Sequence, residues 1–246
     1  MKFSFKIQQY QTDAVNAVVD VFKGQVRPAQ DNSYFFDPGR LVPVKTKKAK
    51  NINGYNLFQQ ELDEQEAKQD IILGYANAPI KLDKAQLLEN IKLIQGNNNI
   101  TPSKELIEGQ GKCSLDIEME TGTGKTYVYI KTMFELNKQY GWNKFIIIVP
   151  SVAIREGVKK SLQTMEEHFM SQYGKKARYF IYDSKNLTKI DDFAKSNEIN
   201  VMIINNQAFA KSLNEEKNKE GRGGDKGALI IYSERDEFGS RKPIDV

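Results

Sequence analysis

The scarcest residues narrow the chemistry first. Only one cysteine, Cys113, and one histidine, His168, occur in the 246 residues. A lone thiol closes no internal disulfide, and the two together cannot surround a zinc ion. The commonest general base is thus present once, on a segment with helical patterning, where an ordinary packing role is expected. No apolar run approaches the ~18 residues a spanning helix needs. The opening "MKFSFKIQQY" has no continuous apolar stretch after its first lysine, so the expectation is no secretory leader and a cytoplasmic location. Charge of one sign is scarce too: 36 Lys and Arg against 32 Asp and Glu leave +4, which permits contact with nucleic acid without demanding it.

What is present is 39% hydrophobic residues with 13 Phe and 11 Tyr, enough for one substantial core. Three textures follow one another along the chain. Residues 1–23 end in a segment with Ala14, Val15, Val18, Val19 and Phe22 at three- and four-residue spacing, an amphipathic helix expected to dock on a core. Residues 24–111 hold most of the prolines, the basic run "KTKKAK" and much Asn, Gln and Lys. They read as an irregular insertion with one helix over 83–95, stopped by "GNNN". The basic run reads as a solvated loop.

From residue 112 to 246 strands alternate with helices. "CSLDIEM" reads as a strand, "KTYVYIKTMFELNKQYG" as a helix stopped at Gly141, and "KFIIIVP" as a strand covered on both faces. A long helix follows with Ile154, Val158, Leu162, Met165 and Phe169 on one stripe and Gly174 at its end. "ARYFIYD" and "NVMIINN" read as strands flanking a helix near "KIDDFAKS". This alternation predicts an α/β fold with a parallel, doubly wound sheet and right-handed crossovers.

Between the first of these strands and the helix after it lies "TGTGKT", residues 121 to 126. Gly122 and Gly124 allow the backbone to turn tightly and aim its N–H groups inward, a nest for anionic oxygens. Thr121 and Thr123 sit between and beside them. Lys125 adds positive charge for β and γ phosphates, the Thr126 hydroxyl suits Mg2+, and the helix N-terminus adds its partial charge. Met119 stands where the strict pattern has its first glycine, a change helicase-type loops tolerate. A GTPase reading fails on order, because "TKID" at 188–191 would precede the switch-like "DEFG" at 236–239. ATP is favoured by Gln11, whose amide can donate to and accept from the adenine edge.

Taken in order, "QQYQ", "ETGTGKT", "IIIVPSVAIREGV" and "VMIINNQAF" resemble the adenine-reading motif, motif I and two DNA-contacting motifs of superfamily 2 helicases. More narrowly, residues 116–158 and the closing "SERDEFGSRKPIDV" resemble the first RecA-like ATPase region of the Res subunit of type III restriction endonucleases. The resemblance implies that Gln11 reads adenine and that Thr121, Gly122, Thr123, Gly124, Lys125 and Thr126 wrap the phosphates of ATP with Mg2+ at Thr126. It implies that Pro150, Ser151 and Arg155 meet DNA phosphates, as do Asn205 and Gln207, where Asn replaces the usual hydroxyl residue. Double-stranded DNA and a methyltransferase subunit are the implied partners. The family's acidic pair is expected shortly after "RKPIDV", beyond Val246; "ALIIYSERDEF" reads as a hairpin or loop rather than that strand. A fragment weak in stability and in hydrolysis is therefore expected, as the leading part of a translocating motor or as a non-catalytic ATP- or DNA-binding module.

Overall fold

In the computed structural model the residues described are 5–28, 35–36, 75–107, 112–183 and 188–208. They divide between two compact units. The first comprises residues 1–35, 77–182 and 197–206, and the second 36–76, 183–196 and 207–246. The "KTKKAK" run and the segment "ALIIYSERDEFGSRKPIDV" lie outside the described residues.

The first unit is built around a parallel three-stranded sheet. Its strands are β3 (Lys144–Val149), β4 (Arg178–Ile181) and β5 (Asn200–Asn205), ordered β3-β5-β4. The register pairs Lys144 and Arg178 with Asn200, and Val149 with Asn205. Alternation then sends Phe145, Ile147, Val149, Val201 and Ile203 to one face. That face meets two helices, α3 (Lys125–Tyr140) and α4 (Val152–Tyr173), through Ile130, Phe134, Val158, Leu162 and Phe169. Both helices end as the sequence predicts. Gly141 and Gly174 carry φ of 75° and 65°, left-handed values that only glycine adopts at low cost, and their amides bond back to Asn137 O and Met170 O.

The other face differs. Ile146 and Ile148 are 53% and 57% exposed, so within this unit β3 has helices against one side only. β3, expected to be covered on both faces, is not, and β5 alone is buried along nearly its whole length. The parallel α/β assignment stands; winding on both faces does not appear among the described residues of this unit.

A second cluster lies beside the first. Helix α1 (Gln9–Val19) and the 3-10 turn Asp20–Phe22 bury Val15, Val19, Val21 and Phe22 against Val128, Tyr140 and Trp142 of the α3 region and Leu87 of α2 (Lys84–Asn97). Asp83 caps α2 by accepting from the Gln86 amide, while the Gln86 side chain accepts from the Asp83 amide. The start of β3 is clasped from far off in sequence. Asn77 Oδ1 accepts from the amides of Asn143 and Lys144 at 2.8 and 2.9 Å, and its Nδ2 donates to Lys144 O.

Two sequence expectations need correction. "CSLDIEM" forms no strand, since none of the described strands brings a ladder alongside it, though the side chains of Cys113, Leu115 and Met119 do pack into the second cluster. Ile154, expected on the buried stripe of α4, is 49% exposed, because it lies in the first turn, a full turn ahead of Val158, where the helix first joins the core.

β1 (Phe35–Phe36) pairs with β2 (Tyr75–Ala76), and the second unit contains α5 (Thr188–Lys195). "TKID" is the first turn of α5, not a base-reading loop. Among the described residues no helix is long and apolar enough to cross a membrane.

Candidate nucleotide-binding site

The chain enters α3 through Thr121–Gly124. Gly122 and Gly124 both have φ of 85°, and Gly124 is the N-cap of α3. The first intrahelical bond runs from the Val128 amide to Gly124 O at 3.1 Å, so the amides of Lys125, Thr126 and Tyr127 at the helix mouth have no partner within the helix. Thr123 closes the turn, its hydroxyl donating to Glu120 O at 2.7 Å. Lys125 Nζ folds back into the loop, donating to Met119 O at 2.7 Å and Glu120 O at 2.9 Å. The ammonium thus lies across the concave side of the turn, where two carbonyl oxygens hold it. Phosphate oxygens are stronger acceptors for it.

Gln11 and Tyr10 reach this loop from α1. Gln11 Nε2 donates to Thr123 O at 2.9 Å, and the Tyr10 hydroxyl donates to the same oxygen at 3.2 Å. This bond fixes which end of the Gln11 amide is nitrogen, leaving Oε1 as an acceptor. A Cβ on Gly124 would stand 2.5 Å from Gln11 Nε2, so the glycine serves a close approach as well as its φ. Helix α1 is held to α3 by more than this pair: Lys131 Nζ donates to Thr12 Oγ1 at 3.2 Å, and the Tyr140 hydroxyl donates to Val19 O at 3.0 Å.

Thr126 is half-buried at the helix start. Burial pushes the Tyr129 phenol up, and Thr126 lies near enough to oppose that shift slightly, yet not in hydrogen-bond geometry, so the Tyr129 hydroxyl is buried without a partner. The donor set fits a triphosphate: orphan helix amides, an ammonium, and a turn whose two glycines hold positive φ and place no side chain over those amides. It fits Mg2+ through Thr126 alone, the remaining ligands of that ion normally being phosphate oxygens and water. Among the described residues no cluster of three or more His, Cys, Asp or Glu could hold a metal by itself.

His168 packs between Phe5 and Tyr127, with ring centroids 5.0 and 5.6 Å away, and its Nε2 lies 3.1 Å from the Tyr127 hydroxyl. Burial and then the Lys131 charge hold its pKa below the usual value. It is a packing residue of the α3–α4 contact, as its sequence context suggests.

The family model of the type III restriction enzyme, res subunit, matches residues 4–238. The chain belongs to this type III Res family. Similar proteins include the Type III restriction-modification enzyme EcoP15I Res subunit of Escherichia coli, 40% identical over 147 residues, which are 53% of this chain and 15% of that protein. The EcoPI Res subunit of Escherichia phage P1 is 36% identical over 177 residues, 65% of this chain and 18% of that protein. The StyLTI Res subunit of Salmonella typhimurium is 45% identical over 64 residues. The chain therefore spans under a fifth of the length of the first two relatives.

The other positions singled out in this Res family chain gather partly. Val149 and Asn205 pair in register, so the segments that leave β3 and β5 start side by side at the carboxyl end of the sheet. Ser151 there caps α4, its Oγ accepting from the Ile154 amide at 3.3 Å, and Pro150 is exposed. Arg155 bonds the adjacent Glu156 at 3.2 Å, a contact a phosphate can displace. Asn205 Oδ1 is buried without a hydrogen-bond partner. Gln207 is exposed in the 3-10 turn Asn206–Ala208 and belongs to the second unit. The clasp by Tyr10 and the Asn77 anchor were not expected from sequence.

Proposed function

We propose that this chain is the ATP-binding part of the motor that drives DNA translocation in a type III restriction-modification enzyme. The observation that carries the reading is the convergence on one peptide, Thr123–Gly124, of a left-handed glycine turn, a helix N-terminus and the Gln11 amide. In this reading Lys125 leaves the carbonyls of Met119 and Glu120 for the β and γ phosphates, and the amides opening α3 take the remaining oxygens. Gln11 keeps its bond to Thr123 O and offers Oε1 to a base that donates from an exocyclic amine, as adenine does and guanine at that edge does not. Thr126 takes one place on Mg2+, whose chemistry is to neutralise charge between the phosphates.

DNA would meet the carboxyl end of the sheet in the first unit, where Pro150, Ser151 and Arg155 leave β3 and Asn205 ends β5, through phosphate contacts without sequence reading. A methyltransferase partner, as membership of a restriction-modification family implies, supplies recognition of sequence in this picture. Titration with a fluorescent ATP analogue tests the core of the proposal. Saturable binding should be lost in Lys125→Ala and should give way to equal affinity for ATP and GTP in Gln11→Ala. Unchanged binding in Lys125→Ala would overturn it.

A further inference from the structure

The carbonyl of Thr123 accepts from two neighbouring residues of α1 at once, Gln11 Nε2 at 2.9 Å and the Tyr10 hydroxyl at 3.2 Å. Both lone pairs of that oxygen are engaged, so α1 sets its direction. The peptide joining Thr123 to Gly124 is trans, and in a trans peptide the N–H points opposite to the C=O. The Gly124 amide therefore faces away from α1. Among the described residues it makes no hydrogen bond, whereas the Thr123 amide turns back to Glu120 O at 3.4 Å. One more open donor thus stands beside the amides of Lys125, Thr126 and Tyr127.

Glycine does not hold that plane by itself. A residue without Cβ passes between positive and negative φ at little cost, so the peptide before Gly124 can turn over. Turned over, it presents a carbonyl oxygen where the N–H had been, and that oxygen repels an anion. Donors on the α1 side bias the plane against this, each supplying a share. Gln11 has a second task at the base in the reading given above. Tyr10 has none: its ring is half exposed and belongs to neither buried cluster, so the bond from its hydroxyl is what the residue contributes.

We propose that Tyr10 is a positioning residue for the phosphates: its hydroxyl holds the Thr123–Gly124 peptide so that the Gly124 N–H stays turned to a phosphate oxygen. The inference rests on the ATP-binding reading and adds a division of labour to it. Gln11 selects the base and shares in holding the peptide. Tyr10 acts on the phosphates through the loop and is indifferent to the base.

The test uses the whole chain with Mg2+ and a ribose-labelled fluorescent ATP, displaced in turn by ATP, GTP and inorganic tripolyphosphate, with anisotropy as the readout. Tyr10→Phe should weaken all three by one common factor of about three to ten, leaving the ratio of ATP to GTP affinity where it was. Gln11→Ala should lose that ratio as well. Val19→Ala is the control for loosened packing, since Val19 is the buried last residue of α1; it should lower the urea midpoint and leave tripolyphosphate affinity unchanged. Unchanged tripolyphosphate affinity in Tyr10→Phe, a fall in its ATP to GTP ratio, or an equal weakening in Val19→Ala would overturn the role of Tyr10, and loss of binding in Lys125→Ala would then leave the ATP-binding reading standing. Binding that survives Lys125→Ala unchanged would overturn both.

Discussion

Replacing Gly124 by alanine tests the link between α1 and the phosphate loop most directly. Two costs arise at that position. A Cβ on a residue with φ of 85° meets the steric penalty of left-handed backbone, about 1–2 kcal/mol. The same Cβ would also lie 2.5 Å from Gln11 Nε2, so the amide must move and lose its bond to Thr123 O, which adds about 1–2 kcal/mol. Gly122 is the internal control. It has the same φ of 85°, but a Cβ there meets nothing within 4 Å, so Gly122→Ala should cost only the backbone term. The gain from stiffening the unfolded chain is common to both substitutions and cancels in the comparison. Urea unfolding followed by circular dichroism should therefore place Gly124→Ala about 1–2 kcal/mol below Gly122→Ala, and in a Gln11→Ala background that difference should vanish. Affinity for an ATP analogue should follow the same order. A Gly124→Ala protein no less stable than Gly122→Ala, or an extra cost that persists without the Gln11 side chain, would refute the clasp.

Two further outcomes follow from local electrostatics and capping. Burial pulls the Lys144 ammonium down to about 8, so above that pH the folded chain has released a proton that the unfolded chain still holds; stability should rise between about pH 8 and 10.5, and Lys144→Met should flatten the rise in a series of urea midpoints. Ser151→Ala should lose about 1 kcal/mol of stability with the cap of α4, whereas Ser151→Asp keeps the cap and should instead weaken binding of a labelled duplex, a split that a purely structural serine would not show.

Local chemistry made much of this structure legible in advance. Helices α3 and α4 end at glycines that the sequence places after apolar periodicity, and the phosphate loop is a contiguous string whose geometry its own residues dictate. What the sequence does not make legible depends on partners far along the chain. The alternation in "CSLDIEM" is genuine, but a strand also needs a neighbour, and side-chain pattern does not say whether one is present. Ile154 continues the stripe of α4 one turn ahead of Val158, where the helix first joins the core. Asn77 fastens β3 from 66 and 67 positions away, and the Tyr10 hydroxyl meets the loop across 113; no short-range spacing encodes either contact. The half-exposed outer face of β3 is illegible for the same reason, since an unbroken apolar run reads as buried on both sides.

Trp142, the chain's only tryptophan, sits between Phe22 and Tyr140 with its indole N–H donated to Ala78 O at 2.9 Å. The protein therefore contains an intrinsic fluorophore where the N-terminal helix, the helix after the phosphate loop and the entrance to the sheet converge. Its emission colour and quenching report that junction alone, so spectroscopy on the unlabelled molecule can tell loosening at the seam from changes at the loop mouth.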